Sequence, residues 1–360
     1  MVNKKPLLIL VSLGVLAALA AIFGWDEVGK YLSRANPSTM GLLVFLQLAT
    51  LALTTFQWKF MLNKSGSSLS AAQVFSVILA GNYVESITPA AKLGGESAKV
   101  YLFHRLTSLP GSQLAGILLA LKYYSLLPFL VLAAMSFGLA SWRYQLPAVV
   151  PGAFVFLLLF FGAVWWLHKK AGLNRVNPGR KESAVRKDQP GGAFNLIYSK
   201  YRGACKFISA ASGYSRDLLS PLEQLGLIIV SALIWGLYPV KIFIVCRMLS
   251  LEADLATAAM ITFTAYMISM VPLLPGGLGS FEGSMALLFS LTGVPAVSGL
   301  SVALLSRLVT YWFPLILSAP AAAYIAGDLV TGSMPAGKLN NKNKRSSPGF
   351  LIKQQFTEGE

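Results

Sequence analysis

Reactive side chains are scarce in this sequence. Its 360 residues hold two cysteines, Cys205 and Cys246, and two histidines, His104 and His168. The cysteines are isolated, so neither a metal spacing nor a disulfide framework is implied. No Ser-His-Asp or Cys-His arrangement, Walker loop or dinucleotide fingerprint stands out. A metal site, a cofactor and a catalytic activity are therefore not expected. Charge is scarce as well: 12% of residues are charged, against about 25% in ordinary soluble domains. Acidic residues are the scarcer sign, 14 against 30 Lys and Arg. Such an excess can mark a nucleic-acid binder. Here most of the basic residues sit in two polar segments, Lys169–Arg216 and Lys338–Lys353. Basic segments beside apolar runs are what the positive-inside rule produces, and nucleic acid is not an expected partner.

Apolar residues make up 55% of the chain, and runs of roughly 20, enough to cross a ~30 Å hydrocarbon core, recur along it. The expected fold class is an all-α polytopic membrane protein. Leu7–Gly24 reads as an uncleaved first helix, with Trp25–Ser38 as an outer loop. Spans follow at Met40–Leu62, Ser112–Leu139 (with a kink expected at Pro128), Pro147–Leu167, Leu222–Arg247 (with a break expected at Pro239) and Ala296–Ala326. Between them lie two interrupted apolar regions. The expected membrane domain is 1–330, with repeat one at about 40–168, a cytoplasmic basic loop at 169–221 and repeat two at about 222–328. A basic, disordered cytoplasmic tail is expected over 331–360.

The interruptions match each other. Pro89 follows Leu69 by the same 20 residues that separate Pro275 from Leu255, and Glu96 follows Pro89 as Glu282 follows Pro275. Glycines fill both intervals, Gly94 and Gly95 in one, Gly276, Gly277 and Gly279 in the other. A cation then follows in each copy, Lys122 and Arg307. Proline and glycine cannot continue a helix without freeing backbone polar groups, which lipid cannot satisfy. Counting spans places residues 63–68 inside and residues 248–254 outside, so the two copies are expected to be inverted repeats. Parity closes whether the broken segments span fully or turn back. Ser97–Leu106 and Phe281–Leu291 are well under membrane length, which favours re-entrant hairpins.

Glu96 and Glu282 are expected to open short helices whose amino ends lie inside the membrane. A carboxylate there offsets exposed amides, but a buried one needs a partner. Lys122 and Arg307 lie too deep in their helices to reach the surface easily. They are expected either to pair with Glu96 and Glu282 or to receive a phosphate while the carboxylates hold an amine, ion or proton. Lys92 and Lys99 extend this lining. Glu85 has no counterpart in the second copy and ranks lower.

The run Pro89…Gly94-Gly95-Glu96-Ser-Ala-Lys-Val-Tyr-Leu resembles the first motif of the lysylphosphatidylglycerol synthase transmembrane-region, or flippase-like, family. Leu274-Pro-Gly-Gly-Leu-Gly-Ser-Phe-Glu282, Gly293-Val294 and Ser306-Arg307-Leu-Val-Thr-Tyr-Trp312 are similar to its second and more specific motif. The likeness covers roughly residues 5–328; it departs where Ala91-Lys92 replaces an arginine often seen in the first motif. Members that aminoacylate phosphatidylglycerol carry a soluble transferase domain after the membrane domain. None is seen here, so the resemblance implies lipid translocation without synthesis. The implied protein is an inner-membrane lipid flippase or exchanger for an anionic or zwitterionic headgroup. Phospholipids, hopanoids and polyprenol-linked glycolipids all fit. Two rivals remain at this stage: an intramembrane transferase with Glu96 or Glu282 as general base, and a non-transporting partner of a lipid-synthesis enzyme.

Overall fold

The computed structural model describes residues 25–88, 93–107, 109–144, 218–270 and 275–331, together with residues 152, 155 and 159. The expected first helix, most of the Pro147–Leu167 span, the basic loop up to residue 217 and the tail beyond Thr331 lie outside the described residues. So do Pro89 and Lys92.

Among the described residues all regular structure is helical. In chain order the helices are α1 (Trp25–Leu32), α2 (Pro37–Lys64), α3 (Ala71–Ile87), α4 (Leu93–Thr107), α5 (Gly111–Arg143), α6 (Pro221–Met248), α7 (Leu255–Ser269), α8 (Ser280–Leu291), α9 (Ala296–Arg307) and α10 (Phe313–Thr331). A 3₁₀ turn at Pro275–Gly277 precedes α8, and a π-helical turn at Leu308–Trp312 joins α9 to α10. Local chemistry sets the starts. Ser70 with Gln73, and Ser220 with Glu223, form capping boxes on α3 and α6, while Asp254 caps α7 by accepting from the Thr257 amide. Pro37 and Pro221 stand in the first turns of α2 and α6, where a missing N–H costs nothing.

Four stretches among the described residues are long and apolar enough to cross a membrane: α2, α5 as far as Leu139, α6, and the composite of α9, the π turn and α10 as far as Tyr324. The chain is therefore an all-helical integral membrane protein. By contrast α3, α4, α7 and α8 have 17, 15, 15 and 12 residues. At ~1.5 Å per residue each falls short of a ~30 Å core.

Packing repeats from one half of the chain to the other. In the first half α3 lies on α2 and on α4, and α4 lies on α5. In the second, α7 lies on α6 and on α8, and α8 lies on α9. The halves exchange partners reciprocally, with α10 against α3 and α5 against α7. The corresponding helices α2 and α6 meet at the centre. There Gln57 donates to Ser231 Oγ at 2.7 Å and Lys241 donates to Gln47 Oε1 at 2.6 Å. As the α2 number falls by ten the α6 number rises by ten, so these two helices run antiparallel.

One apolar core gathers Leu43, Phe129, Phe263, Phe281 and Phe289, and a second gathers Trp58, Met61, Ile78, Phe103 and Ile117. Phe45, Phe56, Leu233 and Ile316 remain exposed on the outside, which lipid tolerates because its tails are as apolar as they are.

Three expectations need correction. Trp25–Leu32 is helical rather than a loop, and it packs on α9, with Tyr31 against the first core. Helix α6 continues through Pro239 where a break was expected, since a gap at membrane depth would strand more backbone groups than one proline does. Helix α4 begins at Leu93, so Glu96 sits within its first turn rather than at its first residue.

Candidate functional site

The second break is a sealed ion pair. Glycines 276, 277 and 279 all take positive φ, at 62°, 66° and 84°, which turns the chain tightly into α8. Glu282, in the first turn of α8, accepts the Gly279 amide on Oε2 at 2.6 Å and the Arg307 Nε on Oε1 at 3.0 Å. Arg307 also donates to the Gly277 carbonyl at 3.2 Å and lies over the Phe281 ring, 4.2 Å from its centroid. The Glu282 side chain is 0% exposed and that of Arg307 8%. Burying two charges is costly unless geometry and hydrogen bonds are this complete. Both carboxylate oxygens here have donors.

The first break holds a longer network that opens outward. Lys122 of α5 donates to Glu96 Oε1 at 2.5 Å. Lys99, one turn on in α4, lies 3.6 Å from that same oxygen and 4.0 Å from Glu85 Oε2 of α3. Lys99 is 5% and Glu96 11% exposed, whereas Glu85 is 24% and Lys122 52% exposed. Glycines make this possible by close approach. A Cβ at Gly81 would collide with the Lys99 stem, and one at Gly95 would stand 2.6 Å from the Gly81 carbonyl oxygen. Gly94 is pressed likewise against Thr88.

Each cation thus pairs with the carboxylate of its own half, and Lys99 joins the first pair. The structural breaks at Pro275, Gly276, Gly277 and Gly279 are in place, whereas Gly94 and Gly95, expected as breaks, are helical within the first turn of α4; Pro89 and Lys92 lie outside the described residues. The two breaks touch through Tyr311, whose hydroxyl donates to the Ser86 carbonyl at 3.0 Å. Its ring covers Gly276 and stands 5.4 Å from the Arg307 guanidinium carbon.

Three residues gain weight that sequence reasoning withheld. Glu85 joins the network although no second-half residue matches it. Tyr311 was legible only as part of a motif. Lys241, 1% exposed within α6, hydrogen-bonds Gln47 and Thr50 and lies 4.3 Å from the Tyr238 ring centroid. A lysine seven residues before the end of an apolar span was signal enough to single it out.

Comparison with known proteins adds a family. Residues 7–318 match the family described as Lysylphosphatidylglycerol synthase TM region. A UPF0104 membrane protein of Methanothermobacter thermautotrophicus is 24% identical over 95% of this chain and 100% of its own length. Others, from Methanocaldococcus jannaschii and Pyrococcus horikoshii, are 22% and 21% identical over 88% and 87% of this chain, and 93% and 95% of their own.

Proposed function

The chain belongs to the lysylphosphatidylglycerol synthase TM region family, and we propose that it moves or exchanges lipids across the membrane that holds it, without making or breaking covalent bonds in them. The observation that carries this reading is the pair of carboxylate–cation contacts, Glu96–Lys122 and Glu282–Arg307, at breaks in the apolar helical bundle. Intramembrane ionisable groups are expensive and mark pathways for polar cargo. An anionic or zwitterionic headgroup replaces water at such a site, its phosphate competing with a carboxylate for Lys122 or Arg307 while the chains stay in lipid.

The reading includes inverted repeats. The reciprocal packing of the two halves and the antiparallel run of α2 and α6 support a two-fold axis in the membrane plane. One break then faces each leaflet. The protein would work in the cytoplasmic membrane, with the basic loop and tail on the cytoplasmic side.

Liposome reconstitution tests the proposal. Vesicles carrying headgroup-labelled phospholipid should lose outer-leaflet protection faster with protein than without. Glu282→Gln and Lys122→Gln, matched for folded protein by thermal melting, should slow that rate at least ~10-fold, or about 1.4 kcal/mol of barrier. Variants as fast as the parent protein would sink the site assignment, and no acceleration by the parent protein would sink the function.

A further inference from the structure

We propose that the first break carries a subsite for a zwitterionic headgroup, with an ammonium group beside Glu85 and a phosphate on Lys122; this rests on the lipid-handling reading above. The four charges alternate in space: Glu85, Lys99, Glu96, Lys122. The inner two are nearly sealed, at 5% and 11% exposure, and lie 3.6 Å apart. The outer two are the accessible ones, an acidic group at 24% and a basic group at 52%. The open face therefore shows one negative and one positive patch. None of the three links between them exceeds 4.0 Å, which keeps both patches within reach of one headgroup.

Position favours a polar occupant. Lys122 stands eleven residues into α5, roughly 16 Å along the helix axis from its start. A lysine side chain half exposed at that depth, with its ammonium on Glu96, faces a polar cavity rather than lipid. A purely anionic headgroup placed on Lys122 is repelled by Glu85, and a purely cationic one placed on Glu85 is repelled by Lys122. A zwitterion satisfies both, and such charge complementarity selects partners more than it adds raw affinity. The second break offers no such face, since Glu282 and Arg307 are sealed and fully paired.

Lipid binding to the purified full chain in detergent tests this, using phosphatidylethanolamine and phosphatidylglycerol with the same acyl chains. The parent protein should retain phosphatidylethanolamine about tenfold more strongly, and N-acetylated phosphatidylethanolamine should bind as weakly as phosphatidylglycerol. Glu85→Gln should bring the two lipids to near parity, Glu85→Asp should keep the preference, and Lys122→Gln should weaken both. Equal binding by the parent protein, or a preference unchanged in a folded Glu85→Gln protein, overturns the subsite. Water-soluble competitors separate headgroup from lipid. Displacement by glycerophosphoethanolamine but not glycerophosphoglycerol supports a subsite that reads the headgroup alone. Displacement by neither, with the lipid preference intact, supports one that needs the anchored lipid, and displacement by both overturns it. Because binding is read without translocation, selective binding in a protein that moves no lipid would sink the transport proposal alone. Unselective binding in a protein that moves lipid would sink this one alone.

Discussion

At the second break Arg307 is 8% exposed and holds Glu282 while donating to the Gly277 carbonyl and lying over the Phe281 ring, whereas at the first break Lys122 is 52% exposed and shares Glu96 with a second lysine. The pieces correspond, but the chemistry differs. A guanidinium has a rigid fork of donors and stacks on aromatic faces, so it suits a dry, fixed pair. An ammonium on a flexible stem, strongly hydrated, suits a site that exchanges partners. The difference teaches that the two halves pack their helices alike while their breaks divide into one that is sealed and one that is partly exposed.

The strongest way to break that division is to remove each cation. Arg307→Ala leaves a fully buried carboxylate without its partner, a loss of about 3–5 kcal/mol for sealed pairs. Lys122→Ala removes a half-exposed partner from a carboxylate that keeps Lys99, and exposed pairs contribute only about 0–1 kcal/mol. Thermal melting in detergent should show a large fall for the first and a small one for the second. Equal falls would mean that both breaks are structural latches.

The glycines sharpen the contrast next. Gly276 has φ 62° and lies under the Tyr311 ring, so an alanine there meets two penalties. The left-handed conformation costs roughly 1–2 kcal/mol, and overpacking commonly adds about 1–3 kcal/mol. Gly95 is helical and meets only the second, through the Glu85 Cβ and the Gly81 carbonyl oxygen, both 2.6 Å from a built Cβ. Gly276→Ala should therefore melt lower than Gly95→Ala. Replacing Tyr311 by alanine beside Gly276→Ala should recover the packing part but not the conformational part, a coupling that a double-mutant cycle reads directly.

These glycines also show where the sequence was legible. Apolar runs placed α2, α3, α5, α6 and α7 to within a few residues, because the length needed to cross lipid is written locally in the chain. The spacing from Pro89 to Glu96 and from Pro275 to Glu282 located both breaks. What it hid was that the glycines do different jobs. Gly276, Gly277 and Gly279 turn the chain, while Gly94 and Gly95 admit the side chains of α3. Spacing records where small residues fall, not which neighbour approaches them. Glu85 was undervalued for a related reason: a repeat highlights what both copies keep, and Glu85 joins its network from one copy alone. Lys241 escaped notice because its partners, Gln47 and Thr50, are neutral and nearly 200 residues away in the chain.

Tyr311 sets the smallest and most discriminating of these effects, because it belongs to both breaks at once. Its hydroxyl satisfies the Ser86 carbonyl in the last turn of α3, a group with no partner inside its own helix. Its ring stays against Gly276 and near Arg307 whether or not the hydroxyl is present. Tyr311→Phe should thus cost only about 1 kcal/mol of stability, visible as a small drop in melting temperature with the helical content unchanged. If the two breaks open and close independently, phosphatidylethanolamine binding at the first should be unaffected by that change. If the Tyr311–Ser86 contact ties them, Tyr311→Phe should loosen binding at the first break, and Arg307→Lys, which disturbs only the second, should no longer alter that binding once Tyr311 is phenylalanine. Loss of that coupling in the double variant would make the division of labour a linked one, carried by a single hydroxyl between two unlike halves.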